Sequence, residues 1–207
     1  MKKNPSKTLR TVLFVAMAMC ASGIVRGDVV AILNTGLDPD TLELLPNGTP
    51  DERYIIAPGG TGGHYEEVPM VRIEPIPPTW LPDSASELSR WLVLQGSGQQ
   101  GITVDPGTYF YETVVDLTGF DASTAQITGV RYAADNKLVG VVINGEDVFR
   151  QSTEFAEEFD SFRELGDLGL GFFQDGYNTI RFEGWNDKFG PSPMGLRLEG
   201  VVEATAQ

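Results

Sequence analysis

An all-β fold, a two-sheet antiparallel β-sandwich, is what this sequence predicts, and three observations carry the prediction. Twenty-four glycines and 13 prolines punctuate the 207 residues, with short β-branched and aromatic runs between them, the pattern of many strands joined by turns. Residues 108–117 (TYFYETVVDL) alternate strictly: Tyr109, Tyr111, Thr113 and Val115 on one side, Phe110, Glu112, Val114 and Asp116 on the other. Asn144-Gly145 directly follows the apolar run Val141-Val142-Ile143, a hairpin signal because both residues tolerate positive φ.

The elements follow in order. Residues 29–33 (VVAIL) form a continuous apolar run suited to a buried first strand, and 34–40 (NTGLDPD) carry turn chemistry. Residues 54–57 predict a short strand and 58–64 (PGGTGGH) a loop. Pro69 makes 68–73 an edge strand, since proline gives nothing to a central ladder. The proline-rich stretch 74–82 is extended and delivers Trp80 to the body; Trp91-Leu92-Val93-Leu94 is the next strand. Two strands, 126–133 and 137–143, are joined at Asp135-Asn136. Residues 154–165 are the exception: Phe155, Phe159 and Phe162 fall at helical spacing among acids, which predicts one short helix. Strands at 179–185 and 195–202 close the chain, with Ile180, Phe182, Leu196 and Leu198 turned inward.

The N-terminus reads as a leader. Lys2, Lys3, Lys7 and Arg10 precede a mainly apolar run over 11–25, shorter than the ~20 apolar residues of a membrane span. A signal peptide over 1–27, cut after Gly27 or alternatively after Gly23, is therefore expected, with one domain over 28–207 and no transmembrane segment after cleavage. Met19 before Cys20 argues against a lipoprotein cut, and cleavage after Gly27 leaves a mature chain without cysteine, hence without disulfide or thiolate chemistry. The same cut would split Arg26-Gly27-Asp28. Of 15 basic residues five lie in the first 27 positions, where no acid occurs; the rest leave 10 basic against 29 acidic groups, a formal −19. Such a surface repels phosphate polymers, so nucleic acid is excluded as a partner. The expected location is secreted, periplasmic or at the cell surface.

Four strings set a further expectation: 108–119 (TYFYETVVDLTG), 133–145 (AADNKLVGVVING), 172–186 (FFQDGYNTIRFEGWN) and 195–199 (GLRLE). In that order, with Asn34-Thr35-Gly36, Asp51 near Tyr54, and Trp80 followed by Trp91, the chain resembles exported bacterial β-sandwich proteins of the PEP-CTERM-associated type. The resemblance implies a jelly-roll sandwich of the galactose-binding-like kind. The sequence departs from that family where it ends in Ala204-Thr205-Ala206-Gln207 without the sorting tail, so that free secretion or another attachment is expected. Residues 154–165 depart too, being more helical in pattern than the strand that the resemblance places there.

Sugars need an aromatic plane for their apolar face and planar polar groups for their hydroxyls. Trp80, Trp91, Trp185, Asp135, Asn136 and Asn186 supply those types and are the carbohydrate-binding candidates, although indoles also fill cores and Asn and Asp also build turns. Asp135, Asn136, Asn186 and Asp187 are the candidate donors for a structural calcium, the one cofactor the sequence suggests. Catalytic patterns are weak. His64 lies in a glycine-rich loop and would have to act with Ser84 or Ser86; Glu157-Glu158 is a carboxylate pair on the expected helix face; and one histidine cannot build a zinc site. The expectation is a non-catalytic exported module that binds carbohydrate or cell-surface polysaccharide. The alternatives are a structural or matrix protein acting by self-association, and a secreted hydrolase.

Overall fold

The computed structural model describes residues 27–62, 68–71, 76–94, 103–154, 156–187 and 190–207. The expected leader, apart from Gly27, lies outside the described residues, as do Cys20, His64 and Phe155. Among the described residues the strands are β1 (Asp28–Ile32), β2 (Ile55–Ala57), β3 (Met70–Val71), β4 (Leu92–Val93), β5 (Gly107–Asp116), β6 (Phe120–Asp135), β7 (Lys137–Ile143), β8 (Glu146–Arg150), β9 (Glu158–Leu168), β10 (Tyr177–Asn186) and β11 (Gly195–Ala206). They build two antiparallel sheets. The first runs β3-β4-β11-β6-β9, with β1 also on β11; the second runs β2-β5-β10-β7-β8.

The core lies between the sheets. Tyr109, Tyr111 and Val115 of β5, Ile180 and Phe182 of β10, and Leu138, Val141 and Ile143 of β7 form one cluster with Ile127 and Val130 of β6 and Leu196, Leu198 and Val202 of β11. Each such side chain stabilises the fold by about 1.5–3 kcal/mol when it leaves water. The alternation read for 108–117 is realised: Tyr109, Tyr111, Thr113 and Val115 are buried. The Asn144-Gly145 hairpin is also as read, with φ of 52° and 89° and Ile143 paired to Glu146. Pro69 does introduce an edge strand, since β3 ends the first sheet.

The expected helix over 154–165 is not formed; Glu158–Leu168 is a strand, β9. The register explains the misleading phenylalanine spacing. Ala134 pairs with Glu158 and Tyr132 with Arg163, so β9 spends five residues where β6 spends two. That bulge resets the two-residue alternation, and Phe159 and Phe162 both pack against one apolar cluster although three positions apart. The one helical element among the described residues is a single 3-10 turn at Asp83–Ala85. No described helix is long and apolar enough to cross a membrane.

Candidate functional site

The candidate residues converge on the corner where the chain leaves the first sheet for the second. β6 ends at Asp135 and β7 begins at Lys137, and the Asp135–Asn136 peptide is cis. Asp135 Oδ2 accepts a hydrogen bond from Trp80 Nε1 at 2.8 Å. The Asn136 amide donates to the Trp185 carbonyl at 3.1 Å, and the Asn136 carbonyl accepts from the Glu158 amide at 2.9 Å. Asn136 Oδ1 accepts from the Asp187 amide at 2.8 Å. Asn186 is fully buried; its Nδ2 donates to the carbonyl of Val104 at 3.1 Å, and its Oδ1 accepts from Ser192 Oγ at 2.6 Å. Asp135, Asn136, Trp185, Asn186 and Asp187 are thus neighbours. The groups named in these bonds hold the corner.

As a calcium centre these residues do not fit. Calcium takes about six to eight oxygens, whereas the side-chain oxygens of Asn136 and Asn186 already accept from Asp187 and Ser192. Among the described residues, no group of three or more His, Cys, Asp or Glu side chains is placed to hold a metal ion.

The three tryptophans divide between opposite sides of the molecule. Trp80 and Trp91 are buried, with ring centroids 4.3 Å apart and planes tilted by 37°. Trp91 Nε1 donates to the Leu81 carbonyl at 2.8 Å. With Leu81, Val93 and Ala133, flanked by Phe159 and Phe162, they form a second apolar cluster apart from the central core, on the outer side of the first sheet. Arg197 fastens the segment that covers them. Its guanidinium, 0% exposed, donates to the carbonyls of Pro82, Asp83, Ser86 and Ser89 and to Ser89 Oγ. Burial away from water lowers its pKa, although Asp83 and Glu199 pull the other way. Glu199 is desolvated too, yet hydrogen bonds from Ser86, Ser89 and Arg131 win and hold its carboxyl below the usual range.

Trp185 is different: it is half-buried, on the outer side of the second sheet. Gly184 marks the inward direction, since a side chain there would run into Met194 and touch Tyr111, and neighbours on a strand point to opposite sides. Trp185 therefore points outward, level with Thr108 of β5 and Lys137 of β7. The next outward row is Phe110, Glu183 and Gly140, where Arg150 reaches over Gly140 to bond Glu183. Arg150 also donates to Asp147 at 2.6 Å. Those two bonds, Asp147's the stronger, raise the guanidinium pKa, and the Arg150 bond holds the Asp147 carboxyl low. Arg181 sits over the Phe110 ring, 4.7 Å from its centroid, and pairs with Glu112 at 3.0 Å.

Of the catalytic patterns, the one built on His64 lies outside the described residues, and the carboxylate pair is not arranged as expected. Glu157 and Glu158 are successive residues leading into a strand, not members of one helix face. Glu158 accepts from Tyr132 Oη at 2.8 Å, from the Leu138 amide at 3.2 Å and from Gln151, while Glu157 is exposed. Ser86 Oγ accepts from the Leu88 amide at 3.1 Å. Arg197 and Lys137 are the residues that sequence reading passed over. Only Arg197 carried a signal: a charge between two inward leucines, in a strand that turns out to be covered on both sides.

Fold and site together define an all-β protein of two antiparallel sheets, with one outer face closed by its own chain and the other carrying an accessible aromatic side chain beside charged ones. Comparison with family models, with characterised proteins and with solved structures found no match to this chain.

Proposed function

We propose that this protein is an exported, non-catalytic β-sandwich module that binds carbohydrate, such as a cell-surface polysaccharide, through the outer face of its second sheet. On this reading the chain belongs with the jelly-roll, galactose-binding-like sandwiches of the PEP-CTERM-associated type, and residues 1–27 are a signal peptide. The observation that carries the proposal is Trp185. Of the three tryptophans it is the one with solvent access, and it stands in a row with Thr108 and Lys137 beside Phe110, Glu183 and Arg150. An indole plane flanked by hydrogen-bonding groups fixed on strands is what a sugar ring requires, because strands hold side chains more rigidly than loops do. Trp80 and Trp91 contribute to the scaffold, and Asp135, Asn136 and Asn186 position β7 and β10 beneath the face.

A glycan array probed with the wild-type chain and with Trp185→Ala, each with and without calcium, tests the proposal. Binding to at least one polysaccharide is expected, lost in the variant and unaffected by calcium. Absence of binding to every polysaccharide would sink it. Self-association is the second reading, because the same face carries Ile55, Val114 and Tyr177 at 40%, 58% and 71% exposure. Sedimentation that finds oligomers dissociated by Val114→Lys, in a chain without sugar affinity, would favour that reading instead.

A further inference from the structure

One end of the sandwich exposes apolar side chains that the fold does not use. Three turns meet there: 117–119 between β5 and β6, 144–145 between β7 and β8, and 169–176 between β9 and β10. Asn178, fully buried, ties them together. Its Oδ1 accepts from the Gln174 amide and from Asn144 Nδ2, both at 2.8 Å, and its Nδ2 donates to the carbonyls of Gln174 and Gly176, also at 2.8 Å. The Gly176 carbonyl accepts from the Leu117 amide at 2.8 Å, and Asn144 Nδ2 reaches the Phe172 carbonyl at 3.1 Å. Gly169, at φ 82°, lies where a Cβ would strike the Ile143 side chain, and Phe173 enters the core. The loop is thus shaped by Gly169, Phe173 and Asn178. Leu170 and Phe172 are left 61% and 42% exposed, and Tyr177, which opens β10, is 71% exposed. Three of the eight exposed large apolar side chains among the described residues therefore fall within 170–177. Single exposed apolar residues need no explanation, whereas a group of them on a firmly held loop marks an interaction surface.

Charge narrows the choice of occupant. Residues 114–123, 143–149 and 166–180, which form this end, hold six carboxylates and no lysine, arginine or histidine. Asp116, Glu146, Asp167 and Asp175 are exposed, and none of the four enters an ion pair among the described residues. We infer that this end docks a segment of another protein that presents aliphatic or aromatic side chains bracketed by lysine or arginine. The apolar side chains of that segment cover Leu170, Phe172 and Tyr177, while its cations meet the surrounding carboxylates, which speeds encounter and fixes register. The same carboxylates disfavour other occupants. Two copies of this end would bring like charges together, and the phosphates of nucleic acid or of an anionic lipid surface are repelled. Tyr177 and Trp185 stand at opposite ends of β10, so the inference does not depend on the carbohydrate-binding reading. A module with both surfaces links a polysaccharide to a protein.

The test pans a phage-displayed library of random peptides on the full mature chain, after depletion on a chain carrying Leu170→Ser with Phe172→Ser. Selected peptides are expected to combine leucine or aromatic residues with lysine or arginine. The strongest of them, made synthetically, should bind wild type at least about tenfold more tightly than the doubly substituted chain. Its affinity should fall about tenfold between ~0.05 and ~0.5 M salt, and should fall likewise in a chain carrying Glu146→Gln with Asp175→Asn. Trp185→Ala should leave it unchanged, and all variants should melt close to wild type. The inference is overturned if depletion removes every binder, if the selected peptides lack basic residues, or if salt has no effect. A Leu170→Ser and Phe172→Ser chain that no longer folds also overturns it, because those side chains would then serve the fold. Two further arms name the other occupants. Flotation with phosphatidylcholine vesicles that requires Leu170 and Phe172 would assign the surface to a membrane, and a dimer in sedimentation that requires them would assign it to a second copy.

Discussion

The outer faces of the two sheets treat the same residue types in opposite ways. On the first sheet, Trp80, Trp91, Arg131 and Arg197 are built into structure: the indoles pack on each other, Arg197 bonds four carbonyls, and Phe162 lies within 4.4 Å of the Arg131 guanidinium and 5.4 Å of that of Arg197. On the second, Trp185 keeps access to solvent and the arginines are tied to carboxylates in pairs. The difference comes from what lies above each sheet. The segment 76–91 crosses the first and supplies carbonyls to a buried cation, which turns a polar sheet face into a second core. Composition is therefore a poor guide to which aromatic residue is available to a ligand; coverage by the chain decides it.

Substitutions on the covered face should have the largest effect. Trp91→Ala removes a fully buried indole and should cost about 3–5 kcal/mol, and Arg197→Met should cost a comparable ~3–5 kcal/mol because it strips several buried carbonyls of their donor at once. Both are read as midpoint shifts in urea unfolding, and an unchanged midpoint for either would erase the contrast between the faces. Trp80→Phe should come next, at about 1–3 kcal/mol, since it preserves most of the packing but takes the indole N–H from buried Asp135. Trp185→Ala should cost less than about 1 kcal/mol, in keeping with its partial exposure, while abolishing glycan binding; a large loss of stability would move Trp185 into the same class as Trp91.

The smallest effect is pH dependence on the covered face. The Glu199 carboxyl has its pKa lowered by hydrogen bonds from Ser86, Ser89 and Arg131 that outweigh its burial. A group whose folded pKa lies below its unfolded one contributes stability fully above the unfolded value, 4.5, and loses that contribution as pH falls through the folded value. Glu199→Gln should therefore be less stable than wild type at pH 7 and should flatten the decline below pH 4.5, measured by urea unfolding across that range. A wild-type decline unaltered by the substitution would assign the acid sensitivity to other carboxylates.

Much of the scaffold was legible in the sequence because it depends on neighbours along the chain. Strict alternation located β5, Asn144-Gly145 located the β7–β8 hairpin, and a proline marked the sheet edge. The helix expected over 154–165 fails for a reason that no local pattern reveals. Phe159 and Phe162 share a cluster because β9 bulges against β6, a register set by a partner about 25 positions away in the chain. Of the site residues, Asp135, Asn136, Trp185, Asn186 and Asp187 lie together at one corner, whereas Trp80 and Trp91 are buried on the outer side of the first sheet. Their chemistry was not legible, because an Asn that closes a turn and an Asn that grips a sugar look alike until its acceptors and donors are known.

The sequence by itself determined the all-β class, the inward sets of β5, β10 and β11, the hairpin turn and the acid excess, all of which follow from period-two patterning, glycine and asparagine conformational freedom and net charge. Tertiary structure alone decided which tryptophan reaches solvent, that Arg197 became a buried clasp, and that Lys137 stands beside Trp185. Those outcomes depend on which strands lie side by side and which segment covers them, and contacts between residues roughly 50–110 positions apart leave no periodic trace in the chain.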